Sequence, residues 1–201
     1  MAAQTVGDAR LGRQKSEAER CQECHGPTGQ GNAFDPSNKA ARLAGQHTEY
    51  LVKQIRNFRS GERSHVVMSP VARHLDDADL HDIAAYFASQ PPMHGAAAAA
   101  ALPAPVLYRQ GDAQRRIDAC QTCHGDQGQG RVSPSTAPRL AGQDKPYLQR
   151  QLQAWRSGER RNSADGAMNR VTHQLSDQDI DALAGYLSGL QPHSLSTGTP
   201  P

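Results

Sequence analysis

The sequence predicts an all-α protein in which one small domain is written twice. Three observations carry that prediction. The first is internal repetition: "RLAGQHTEYLVKQIRNFRSGER" at 42–63 returns as "RLAGQDKPYLQRQLQAWRSGER" at 139–160. Likewise "LDDADLHDIAAYFASQPP" at 75–92 returns as "LSDQDIDALAGYLSGLQP" at 175–192. The second is apolar residues at helical spacing, with no alternating run to suggest a strand. The third is that both copies share one cysteine motif, "CQECHGPTGQG" at 21–31 and "CQTCHGDQGQG" at 120–130. Two copies are too few for a solenoid, so a tandem pair of globular domains follows.

Each copy opens on a stretch read as helical, "RLGRQKSEAER" before the first cysteine pair and "LYRQGDAQRRIDA" before the second. A glycine-rich loop follows the cysteines. A long helix then runs from Tyr50 or Tyr147 to "RSG", where Gly61 and Gly158 suit a left-handed C-cap. The last helix starts at Asp76 or Ser176, each an N-cap type with an acidic residue three positions on. Its apolar residues Leu80, Ile83, Ala84 and Phe87 recur as Ile180, Leu183, Ala184 and Leu187. Between the copies lies "PPMHGAAAAAALPAP", a proline-bracketed alanine run expected to act as a semi-stiff linker. The predicted organisation is a domain over 1–92, a linker over 93–105, a domain over 106–192 and a disordered tail over 193–201.

The composition narrows the function. With 36% hydrophobic and 4% aromatic residues in 201, each half would bury little apolar surface for its size. Domains this small usually complete their core with a disulfide, a metal or a cofactor. A net charge of +2, from 22 basic and 20 acidic residues, gives no field that favours nucleic acid. No apolar run is long enough to span a bilayer. The start "MAAQTVGDAR" reads as a mature N-terminus, with removal of a leader peptide expected.

All four cysteines sit in two Cys-x-x-Cys-His motifs, the attachment signature of c-type haem. Two cysteines three apart at a helix end can both reach the haem vinyl groups. The next residue, histidine, then turns its imidazole toward iron. Cys21, Cys24 and His25 are assigned to one haem, Cys120, Cys123 and His124 to the other. A four-cysteine zinc site expects its pairs roughly 15–20 residues apart, far closer than these. A thioredoxin-like pair would need a strand–helix setting that is absent. For the sixth ligand a thioether is expected, which raises the potential and closes the iron to small molecules. Met68 and Met168 sit seven residues ahead of Leu75 and Leu175, in a predicted loop of each copy, and are assigned to it. Met1 is terminal, and Met93 lies in the linker without a twin. Bis-histidine ligation through His65, His74 or His173 is the rival; the seven histidines outside the motifs are read as surface or structural. Gly26, Gly29, Gly31, Gly125, Gly128 and Gly130 would make the turns and let backbone approach the haem.

In these features the chain resembles the dihaem cytochromes c of the cytochrome c4 family, which join two class I cytochrome c domains. The resemblance covers 8–92 and 107–190. It rests on "CQECHG" and "CQTCHG", the twin "RLAGQ" and "RSGER" blocks, the two methionines, and "AAYFASQ" with "AGYLSGL". It implies domains packed about a pseudo-twofold axis with propionate edges near each other. It also implies soluble or loosely membrane-attached periplasmic carriers, often supplying a terminal oxidase. In such proteins a proline before "LAGQ" offers its carbonyl to the haem-ligating histidine, fixing the ring. Pro138 matches, whereas Ala41 stands at that place in the first copy. Alanine keeps a carbonyl but not proline's fixed φ, so the first site is expected to be the softer one.

The expected function is therefore periplasmic single-electron transfer between redox proteins, toward a terminal oxidase or from a dehydrogenase or cytochrome complex. No catalytic residue and no small-molecule substrate are expected. The alternatives are a dihaem enzyme of peroxide or sulfur-compound chemistry, and an electron-transfer subunit of a larger oxidoreductase.

Overall fold

Helix boundaries follow local chemistry in the computed structural model, which describes residues 7–31, 40–95, 103–131 and 137–191. Helix α1, Ala9–Ala18, begins where the Asp8 carboxylate accepts from the Arg10 and Leu11 N–H groups. Arg20, at φ 58°, turns the chain into the single turn α2, Gln22–His25, which stops at Gly26 with φ 76°. Helix α3, Thr48–Ser60, ends on Gly61 in the left-handed region, as the sequence predicts. A short α4, Met68–His74, leads into α5, Asp77–Ala88, where Asp76 caps the Asp79 N–H at 2.7 Å.

The second copy repeats this plan with one departure. Helix α6 covers Val106–Gln110 alone, so the helix predicted over Leu107–Ala119 is broken. Gly111, at φ 70°, reverses the chain, and a Cβ there would lie 2.2 Å from the Ile117 carbonyl oxygen. Asp112 and Ile117 then exchange backbone hydrogen bonds of 2.7 and 2.9 Å. The Asp112 carboxylate accepts from the Arg115 N–H and Nε, closing a tight turn that outcompetes helix. The single turn α7, Gln121–His124, follows, then α8, Lys145–Ser157, ending on left-handed Gly158. A 3-10 turn at Ala164–Gly166 precedes α9, Ala167–Thr172, and a capping box on Ser176 starts α10, Asp177–Gly189.

Each copy buries its own core around its last helix. Leu51, Val52, Leu75, Leu80, Ile83, Ala84, Tyr86 and Phe87 form the first, and α10 supplies Ile180, Leu183, Ala184 and Leu187 to the second. All eight apolar positions predicted on the last helices lie in these cores. Gly12 lets α1 cross α5 closely, since a Cβ there would lie 1.9 Å from the Asp82 carbonyl oxygen. Lys15 fastens the crossing by pairing with Asp79 and Asp82. The Lys15 hydrogen bond holds the Asp82 carboxyl below the usual carboxylate range. Such a group contributes stability above its unfolded pKa and loses it as pH falls through the folded one. Lys15→Met should therefore melt lower than the native chain at pH 7, with the gap closing below about pH 4. Thermal unfolding followed by circular dichroism checks this, and a gap constant down to strong acid would refute it.

The domains meet across a pseudo-twofold seam made by the repeated blocks. The Arg42 N–H donates to Gln143 Oε1 at 2.8 Å, and the Arg139 N–H donates to Gln46 Oε1 at 2.9 Å. Gln143 and Gln46 return the bond through Nε2 to the Arg42 and Arg139 carbonyls, each at 2.9 Å. The guanidinium of Arg42 reaches the Gly142 carbonyl, and that of Arg139 reaches Gly45. An isologous interface requires such pairwise exchange. Of the predicted linker, 96–102 lie outside the described residues, as do the tail from 193 and the first six residues. Met93, read from the sequence as a linker residue without a twin, is 0% exposed at the seam. Its N–H donates to the Ala44 carbonyl, and its sulfur accepts from Gln143 Nε2 at 3.4 Å. Among the described residues no helix is long and apolar enough to cross a membrane.

Candidate haem-binding sites

The two Cys-x-x-Cys-His motifs occupy matching places. Cys21 and Cys120 stand at the N-caps of α2 and α7, half-buried, while Cys24 and Cys123 are exposed; none of the four is in a disulfide. Before haem is attached, burial pushes the Cys21 and Cys120 thiols up to about 11. His25 and His124 close the two short helices and are buried. Nδ1 of His25 lies 2.7 Å from the Ala41 carbonyl oxygen, and Nδ1 of His124 lies 3.1 Å from that of Pro138. A carbonyl can only accept, so each Nδ1 carries the proton and donates it. Burial also lowers the pKa of both rings, favouring neutral imidazole. A neutral ring with Nδ1–H engaged keeps its lone pair on Nε2, which is the state a metal requires. This donor set, beside paired thiols, fits a covalently attached haem. The carbonyl bond is present at Ala41 as well as at Pro138, so proline is not needed to form it.

The glycine loops after the histidines are latched rather than loose. The Gly29 carbonyl accepts from the Leu43 and Ala44 N–H groups at 2.7 and 3.0 Å. Gly128 does the same for Leu140 and Ala141 at 2.7 and 3.0 Å. A Cβ on Gly29 would lie 2.8 Å from Phe87 Cδ1, so glycine here is a packing requirement as well as a turn. The "RLAGQ" block thus has two tasks: its middle holds the haem loop and its ends hold the other domain. Tyrosine hydroxyls add a second latch from unlike places. Tyr86 of α5 donates to the Pro27 carbonyl at 2.7 Å, whereas Tyr108 of α6 donates to Gly125 at 2.5 Å. Tyr186, the sequence twin of Tyr86, packs against the Tyr108 ring instead. Repeat alignment flags Tyr86 and Tyr186 but gives no signal for Tyr108.

Met68 and Met168 do not lie in plain loops, contrary to the sequence prediction. Met68 is the first residue of α4, and Met168 lies in the first turn of α9. Helix N-termini leave N–H groups needing acceptors, and each copy finds its own. His65 Nδ1 accepts from the Val67 and Met68 N–H groups at 3.3 Å, while Ser163 Oγ accepts from that of Met168 at 3.1 Å. His65 is therefore a capping side chain, which speaks against its use in bis-histidine ligation. His173 Nδ1 meets Gln174 on the surface, and His47 Nε2 meets the Gln129 carbonyl at the seam. Among the described residues no group of three or more His, Cys, Asp or Glu side chains is arranged to hold a metal ion.

Two helical domains, each ending its first short turn in Cys-x-x-Cys-His, define a c-type cytochrome with two covalently bound haem c groups. The family model described as Cytochrome c matches residues 9–91 and 94–191. The cytochrome c4 of Thiocapsa roseopersicina is 40% identical over 190 residues, covering 94% of this chain and 96% of that protein. The crystal structure of reduced recombinant cytochrome c4 from Pseudomonas stutzeri superposes with a TM-score of 0.81 at 35% identity. That match covers 92% of this chain and all of the other. The chain belongs to the cytochrome c4 family of dihaem electron-transfer proteins. A thiosulfate dehydrogenase electron acceptor of Stutzerimonas stutzeri strain A1501 is 37% identical over 175 residues, covering 85% of this chain and 78% of that protein.

Proposed function

We propose that this protein is a periplasmic carrier that takes single electrons from a dehydrogenase and passes them toward a terminal oxidase or another cytochrome. The observation that carries this reading is the pair of equivalent sites, each with a buried, carbonyl-anchored histidine, on domains docked about one axis. In this reading Cys21 and Cys24, and Cys120 and Cys123, hold the two haems. His25 with Met68, and His124 with Met168, would ligate the two irons, and Ala41 and Pro138 would orient the histidines. The domains are 1–92 and 106–192, joined through 93–105.

When bound, each haem supplies reversible one-electron exchange at iron. The chain's task is to keep both ligand sets still. The Nδ1–H bonds stop the imidazoles rotating, and the helix caps at Met68 and Met168 fix the backbone of the methionines that would complete each ligand set. Fixed ligation limits rearrangement when charge changes, which suits a relay and denies a substrate access. The likeness to an electron acceptor of thiosulfate dehydrogenase favours a dehydrogenase as donor, with sulfur chemistry done by the partner.

A spectroscopic redox titration with haem counted per chain tests the reading, together with carbon monoxide addition to the reduced protein. Two haems, two one-electron waves and no uptake are expected. Prompt stoichiometric uptake at native pH would overturn the carrier in favour of a dihaem enzyme. A narrower test concerns Ala41. The Ala41→Pro variant should slow ligand exchange at the first haem toward the rate of the second, because it restores the fixed φ. Equal exchange rates at both sites in the native protein would refute the difference.

A further inference from the structure

The segment carrying each methionine starts at the arginine of its "RSGER" block, and each arginine is inserted into the other domain. Arg63 Nη2 donates to Tyr147 Oη at 3.1 Å and to Gln151 Oε1 at 2.8 Å. Arg160 Nη2 donates to Tyr50 Oη at 3.2 Å and to Gln54 Oε1 at 2.9 Å. Each guanidinium also lies over an aromatic ring of its own domain, Phe58 at 4.6 Å and Trp155 at 4.3 Å. To this point the pseudo-twofold symmetry holds.

Two residues further on it fails. Asn162, 8% exposed, extends the crossing: its Nδ2 donates to Gln54 Oε1 at 3.1 Å and to Asn57 Oδ1 at 2.7 Å. Its backbone carbonyl accepts from Lys53 Nζ. All three partners belong to α3 of the first domain. The tie runs on to the ligand, because Asn169, next to Met168, donates from Nδ2 to the Arg160 carbonyl at 2.9 Å. In the first domain His65 stands at the place of Asn162 and turns back onto its own helix. Ala154 replaces Asn57 at the twin position of α8, so the second domain has no matching amide to offer. The second loop is also longer and passes through left-handed Asp165 and Gly166.

We propose that α3 of the first domain positions the Met168 loop of the second through ties that the Met68 loop lacks, so that domain docking bears on ligation at the second haem more than at the first. Lys53, Gln54 and Asn57 are positioning residues for a haem in the other half of the chain. This rests on the reading of Met68 and Met168 as axial ligands. The asymmetry makes the two electron sites unequal although their ligand sets match, since beyond the shared arginine crossing only the second loop carries the Asn162 ties to the other domain.

The test is the full-length holoprotein carrying Lys53→Met and Asn57→Ala together. This removes ties from the first domain and leaves every residue of the second untouched; alanine already serves at position 154. The long-wavelength Met-to-iron absorption of the ferric protein should fall by up to half. Carbon monoxide should reach one of the two ferrous haems, and one potential should drop while the other stays. In a Met68→Ala background the same pair should remove the remaining absorption. Unchanged absorption with no carbon monoxide uptake, or a loss confined to the first haem, would overturn the proposal. If the double variant does not retain two haems, Asn162→Ser is measured against the same expectations. Native protein without the absorption would overturn the ligand assignment itself, and this proposal with it.

Discussion

Met168→Ala should abolish half of the long-wavelength Met-to-iron absorption, lower the potential of one haem and open it to carbon monoxide. The substitution isolates the sulfur. Alanine is a strong helix former, and the backbone bonds of this residue remain available: its N–H to Ser163 Oγ, and its carbonyl to Thr172 Oγ1 at 2.8 Å. Helix α9 should therefore keep its place while the iron loses a ligand. Loss of the thioether removes the term that favours the reduced iron. Absorption spectra of the ferric protein, followed by carbon monoxide titration of the ferrous form, read both effects. Two unchanged potentials with intact absorption would refute Met168 as a ligand. Replacing His124 should do more harm, because the thioethers would persist while the buried, carbonyl-anchored nitrogen is lost.

Phe87→Ala should destabilise the first domain by about 3–5 kcal/mol, a large part of a domain stability of roughly 5–15 kcal/mol. Phe87 is 1% exposed, its ring lies beneath the Gly29 loop, and its carbonyl accepts from the Gly45 N–H at 2.9 Å. The cavity would thus open where the core, the haem loop and the "RLAGQ" block meet. Phe87→Leu, which copies Leu187 of the second domain, should cost less than about 1.5 kcal/mol. Denaturant unfolding of the holoprotein should separate into two transitions, with only the first moved by Phe87→Ala. A single unshifted transition would mean that the site repacks without cost.

Much of the architecture is legible in the chain because helix chemistry is local. Gly61 and Gly158, and the caps Asp76 and Ser176, stand within a few residues of what they terminate, so spacing alone finds them. The Cys-x-x-Cys-His motif is local in the same sense: three side chains on one turn. The failures share the opposite cause. The helix expected over 107–119 stopped at Gly111 because a hydrogen-bonded turn, closed by the Asp112 side chain, competed with it. Tyr108 left no trace in the repeat because it does the work of a residue from a different helix.

By itself, then, the sequence determined the duplication, the helical class and the haem chemistry. Tertiary structure alone decided what "RLAGQ" and "RSGER" are for. Their glutamines and arginines find partners more than 80 residues away, across the seam, and no periodicity records a bond of that range. It also decided where the two halves stop being equivalent. One asparagine crosses to the other domain where a histidine turns home, and that choice depends on which side chains face each other after docking.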